Sequence, residues 1–234
     1  MRKVLVVGVV VLLAVVVAAD RGLHYAAENE VGNQISHQYP MTSEPEVTIG
    51  GFPFLTQALS GTYSEIDVVT GAFTFNEIQT ERVDVLLTDV DAPLSELMAS
   101  NPEIVAGTAE GTILVPYSEL QQRIQREGMT IEQEGGVPRI TGDFAHGGIS
   151  VSVQSDLELS VEDSTISVAP QNVEVTGDVP IDVDLVEDAL AFDVPLGELP
   201  FGLQLTDIEA QPNGVEVSAR GEDVPITGAQ DAVQ

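Results

Sequence analysis

The sequence predicts an α+β protein, a helix followed by antiparallel sheet. Three observations carry that expectation. Apolar residues recur every four positions from Leu23 to Tyr39. From Val47 onward they alternate with polar residues instead. Gly, Asn, Asp and Pro separate the alternating runs. With 43% hydrophobic residues in 234, the chain can bury a core. Trp is absent and aromatics make up 5%, so that core must be built from Val, Leu, Ile and Ala.

"MRKVLVVGVVVLLAVVVAAD" opens the chain. Arg2 and Lys3 precede an unbroken apolar or small run from Val4 to Ala19, and Asp20 ends it. The run is apolar on every face, which suits a membrane better than a protein core. Val17, Ala18 and Ala19 offer the small residues of a signal-peptidase site. A cleaved export signal and an uncleaved anchor both fit. In either case the positive flank keeps the N-terminus in the cytoplasm and sends the body outside.

Leu23, Ala27, Val31, Ile35 and Tyr39, with Ala26, form one apolar stripe of helical period that Pro40 ends. A helix over 20–39 would be about 30 Å long. Gly32 weakens it by about 1 kcal/mol, so the stripe must pack against something.

Alternation then marks strands at Val47–Ile49, Ile66–Val68, Phe73–Phe75 and Val83–Val85. It resumes at Ile149–Val153, Leu157–Val161, Ile166–Val168, Val173–Val175, Leu203–Leu205 and Val215–Ala219. Asp156, Glu158, Glu162, Glu174 and Glu216 fall on the opposite, wet face. "PYSELQQRIQREGM" predicts a helix with Pro116 at its start, Leu120 and Ile124 on one face and Gly128 as its stop. "APLSELMASN" and "DLVEDAL" are shorter helix candidates. With no long linker and no repeat, the expected organisation is a signal or anchor over 1–19 and a single domain over 20–234.

Charge and composition exclude several functions. Two of the eight basic residues and no acid lie in the first 19 residues. From Asp20 onward six positives face 38 acids, a net charge of −32. Such a body is repelled by nucleic acid and by anionic membrane surfaces, and no basic patch offsets this. The lack of Cys removes thiol nucleophiles, Cys-ligated zinc and disulfides. His24 and His37 are too far apart for a metal pair on one helix, and His146 sits in a predicted turn, "FAHGG". Acidic pairs such as Asp89 with Asp91 and Asp182 with Asp184 could hold calcium or do acid–base chemistry, but solvated faces account for them in so acidic a chain. No nucleophile elbow, P-loop, dinucleotide fingerprint or EF-hand occurs. The residues make no positive case for an enzyme, a metal site or a cofactor.

One stretch is unusual for a turn. "GGFPFLTQ" places Phe52 and Phe54 among Gly51 and Pro53, and "LPFG" near the end repeats the theme with Phe201 between Pro200 and Gly202. These motifs, in this order around a mid-chain "VPYSEL" helix, resemble the LmeA-like phospholipid-binding family of actinobacterial cell envelopes. The likeness covers nearly all of the chain after residue 20. It implies an exported protein of the cell envelope or periplasmic space that binds phospholipid and supports envelope glycolipid or lipoglycan assembly. It also implies a long curved antiparallel sheet wrapped on a long helix, as in tubular, BPI-like lipid binders. The lipid-contacting residues it suggests are Phe52, Phe54, Leu55, Leu199 and Phe201, forming an apolar lip. Gly51, Pro53, Pro200 and Gly202 would set the turns. The competing readings are core plugs for the Phe residues, a non-enzymatic adaptor docking a membrane protein, and an enzyme using an acidic pair.

Overall fold

The computed structural model describes residues 2–38, 41, 43–75, 78–93, 104–123, 128–146, 149–162, 164–177, 182–195, 199 and 202–226. It is an α+β protein with a long N-terminal helix and antiparallel sheets. Helix α1 runs without a break over Arg2–Gln38, joining the apolar run and the predicted body helix into one element. From Val6 to Ala19 it is exposed all round. Its packed face lies further on, at His24, Ala27, Glu28, Val31, Gly32 and Ile35. Leu23, expected in the stripe, stays half exposed at 50%. Gly32 has a positive use: a Cβ there would stand 3.2 Å from the Pro45 carbonyl, where the chain passes close on its way into the first strand.

The strands are β1 (Glu46–Ile49), β2 (Thr62–Thr70), β3 (Phe73–Phe75), β4 (Ile78–Thr80), β5 (Arg82–Asp91) and β6 (Val105–Pro116). They continue as β7 (Met129–Glu134), β8 (Val137–His146), β9 (Ile149–Glu162), β10 (Thr165–Thr176), β11 (Phe192–Pro195), β12 (Gln204–Gln211) and β13 (Gly214–Pro225). One sheet has the order β1-β2-β5-β6-β13-β12, a second has β11-β10-β9-β8-β7, and β3 pairs with β4. The resemblance implies one long sheet; the strands instead divide. The reason is physical, since twisted open sheets rarely pass about ten strands without splitting or curling.

Three short helices follow among the described residues: α2 (Phe54–Ser60), α3 (Tyr117–Arg123) and α4 (Val183–Leu190). Gly61 ends α2 in a left-handed conformation, its N–H donating to the Gln57 carbonyl. Asp182 caps α4 by accepting from the Asp184 N–H. The "APLSELMASN" candidate lies mostly outside the described residues.

The chain forms two compact units. Unit 1 comprises residues 1–71, 84–109 and 222–234, and unit 2 comprises 72–83 and 110–221. In unit 1, α1 packs on β1 and α2. Unit 2 holds the larger aliphatic core, with Leu120, Ile140, Phe144, Val153, Ile166, Val186, Leu190 and Val217 all buried.

Candidate functional site

The motif turn of unit 1 is built from both ends. Gly51 takes φ +88°, a conformation that favours glycine. The Gly50 N–H donates to the Glu65 carbonyl at 2.8 Å, and the Gly50 carbonyl accepts from Gln57 Nε2 at 2.9 Å. Gln57 Oε1 in turn accepts from the Ser64 N–H at 2.9 Å. Gln57 is thus a brace between the turn and β2. The turn also binds α1. Asp20, 1% exposed, accepts from the Leu55 N–H through Oδ1 at 2.8 Å, which satisfies a free N–H at the start of α2. Its Oδ2 is buried with no hydrogen-bond partner among the described residues.

The two motif phenylalanines divide. Phe54 is 6% exposed and stacks on the His24 ring at 5.2 Å, with Tyr63 tilted against it at 6.2 Å. Burial raises the Tyr63 phenol above its usual range. His24 Nε2 donates to the Ile49 carbonyl at 2.7 Å, and Glu28 accepts from the Ile49 N–H at 3.0 Å. Phe54 is therefore a plug where α1, α2 and β2 meet, and a lip that includes it needs correcting: as the first residue of α2 its side chain turns under the helix. Phe52 points out, 58% exposed, with the Arg21 guanidinium 4.9 Å from its ring centroid. Pro53 is exposed and Leu55 is half-buried.

In unit 2, Leu199 is buried and Gly202 takes φ +69° on the surface. Pro200 and Phe201 lie outside the described residues. His146 ends β8, in register with Ile149, where the sequence predicts a turn. Among the described residues, no group of three or more His, Asp or Glu is placed to hold a metal.

Unit 2 also contains an apolar void that no single motif predicts. Leu159 on β9, Ile166 on β10 and Val194 on β11 line it from one sheet. Val115 on β6, Ile208 on β12, and Val215 and Val217 on β13 line it from the other. Ile78 on β4 and Leu120 on α3 complete the wall, and Glu119 is the one charged lining residue. Gln122 Nε2 donates to the Glu119 carboxylate at 3.2 Å. Nearby, Tyr117 is buried, donates its hydroxyl to the Gln211 carbonyl at 2.9 Å, and has its phenol pushed up by burial. The void measures about 20 Å³, which is the room of about one water molecule.

Alternation along the strands identifies Leu159, Ile166, Val215 and Val217 as inward-facing. Their convergence on a void is a product of sheet pairing that spacing cannot show. Asp20 and Gln57 left no signal in the sequence, because their partners are set by the tertiary fold.

The family described as LmeA-like phospholipid-binding matches residues 18–220. The chain belongs to that family. The matched span starts two residues before Asp20 and takes in the motif turn and all lining residues of the void. No curated protein and no solved structure matches the chain.

Proposed function

We propose that this LmeA-like protein is an exported, non-enzymatic lipid carrier of the cell envelope, with its lipid-binding body over 20–234. Phospholipid acyl chains enter the apolar interior of unit 2 around the small void, and the loaded protein supplies lipid to glycolipid or lipoglycan assembly. The observation behind this reading is the aliphatic void in a member of a phospholipid-binding family. Two acyl chains of roughly 16 carbons, at ~0.8 kcal/mol per CH₂, carry about 25 kcal/mol of transfer free energy. A carrier must replace water around them with apolar wall, and acyl chains require no directed hydrogen bonds.

A void the size of one water cannot hold an acyl chain, so uptake requires the walls to part. The shortest wall strands are β4, with three residues, and β11, with four, and α3, with seven, is the one helix in the wall. Long strands β9 and β10 are held by a ladder that shifts register between Gln171 and Glu174 and is regular beside the void, with Ile166 opposite Val161 and Val168 opposite Leu159. Displacing α3 opens the interior at the loss of the Leu120 and Tyr117 packing and of the Tyr117–Gln211 hydrogen bond, and a bound acyl chain replaces the apolar part of that loss. Leu120 then turns from core residue to lipid contact.

Native mass spectrometry of the protein released gently from its native membrane tests this. Co-purifying phospholipid, lost in a variant with the void filled, supports the carrier. A protein that stays free of lipid after incubation with phospholipid vesicles contradicts it.

A further inference from the structure

We infer that the turn carrying Phe52, together with Arg21, is a membrane-interface element that docks unit 1 on the lipid surface at the exit of α1. The inference rests on residues 1–19 staying in the membrane, and it is independent of the carrier reading. The partner is the headgroup region of a phospholipid bilayer.

The first support is continuity. Helix α1 passes from its exposed apolar run into unit 1 with no linker. Whatever is fixed to residues 20 and 21 is therefore fixed at the membrane boundary. Two contacts do the fixing: Asp20 Oδ1 accepts from the Leu55 N–H at 2.8 Å, and Arg21 stands 4.9 Å from the Phe52 ring centroid. Arg21 is only two residues beyond Ala19, about 3 Å along the axis at 1.5 Å per residue.

The second support is length. The run from Val4 to Ala19 spans about 24 Å as helix, short of the roughly 30 Å hydrocarbon core. A short span draws its flanking residues inward or thins the bilayer. At the C-terminal end of the run the flanking groups suit an interface. Phe52 is 58% exposed, Leu23 50% and Tyr25 70%, and Arg21 is exposed beside the Phe52 ring. Exposed aromatic rings beside a cation are the usual occupants of the headgroup layer. An exposed Phe in a turn has no reason in the packing of unit 1, whereas a Phe at this depth does.

The chain has no Trp, so a substituted Trp reports alone. The experiment uses full-length protein in phosphatidylcholine vesicles and phospholipid brominated near the glycerol end of its acyl chains. Three variants are compared: Val9→Trp within the run, Phe52→Trp in the turn, and Gln34→Trp. Gln34 is exposed, fourteen residues beyond Asp20 and about 21 Å further along the helix. The expected result is blue-shifted, bromine-quenched emission for Val9→Trp and Phe52→Trp, and red, unquenched emission for Gln34→Trp. Quenching at Val9→Trp with water-like, unquenched emission at Phe52→Trp overturns the inference while leaving the membrane helix intact. Loss of quenching at both positions overturns the membrane reading of residues 1–19 as well. Asp20→Ala in the Phe52→Trp background provides a second readout. It should lower the quenching by loosening the turn from α1, and unchanged quenching removes Asp20 from the account.

Discussion

Around Phe54, unit 1 is held by directed contacts: a carboxylate on a backbone N–H, an amide bridging a turn to a strand, and an imidazole stacked on a ring. Around its void, unit 2 is held by aliphatic side chains with no geometric demand. The contrast bears on function. Directed contacts fix a position to a fraction of an ångström and tolerate little change. Aliphatic walls can part and close again on a different apolar surface at small cost. Unit 1 is thus suited to hold a motif in place, and unit 2 to accept an acyl chain.

The sharpest way to break this comparison is at the paired phenylalanines. Phe54→Ala removes a buried, stacked ring and should cost about 3–5 kcal/mol. Phe52→Ala removes an exposed ring and one cation–π contact, so its cost should be under about 1 kcal/mol. Chemical denaturation of both variants decides. Equal losses would mean that both rings serve the core.

In unit 2 the corresponding change is Leu159→Trp, which pushes a larger side chain toward the void. Overpacking should cost about 1–3 kcal/mol. Lipid uptake should fall by far more than the folded fraction does. Normal uptake per folded molecule would place lipid elsewhere.

A smaller effect concerns salt. Among the described basic side chains of the body, Arg139 pairs with Glu134 and Asp156, Arg220 pairs with Glu110, and Arg21 lies over Phe52. The body carries only six basic residues, too few for many headgroup ion pairs, and burial of acyl chains is not screened. Uptake from vesicles should change less than about tenfold between low salt and 1 M salt, where the Debye length is about 3 Å. A much steeper loss would point to ion pairing.

The smallest effect is on pH. The Arg139 guanidinium, hydrogen-bonded to Asp156 at 2.8 Å, and then Asn172 at 3.1 Å, hold the Asp156 carboxyl below its usual 3.8. A depressed folded-state pKa stabilises the protein above the unfolded value. That contribution is lost as pH falls below 3.8 through the folded pKa. Both groups are partly open to solvent, so the effect is slight. Asp156→Asn should flatten the decline in melting temperature in that acid range. An unchanged acid profile would show the pair to be inert.

Much of the architecture is legible in the residues. The period-four stripe gave the buried face of α1 at Ala27, Val31 and Ile35. The alternation gave β1, β2, β9, β10 and β13, and "VPYSEL" gave α3. Strand β6 was missed because "VAGTAEGT" mixes Gly, Ala and Thr without a clear alternation. Strands β7 and β8 are hard to read because only Met129 and Ile131 alternate in β7, and Gly142 stands between Ile140 and Phe144 on the inward face of β8. The motif turn was recognisable, but its split was not. Phe52 and Phe54 look alike in sequence, and only the start of α2 between them sends one ring inward. The void was least legible, since it exists only where β4, α3 and two sheets converge.

The central claim is that acyl chains enter unit 2 around the void. The most direct test is photo-crosslinking of purified protein with a phospholipid bearing a diazirine in its acyl chain, followed by peptide sequencing. The account predicts adducts on peptides containing Leu120, Leu159, Val194 or Ile208. Adducts confined to the Phe52–Ser60 peptide of unit 1 would contradict it.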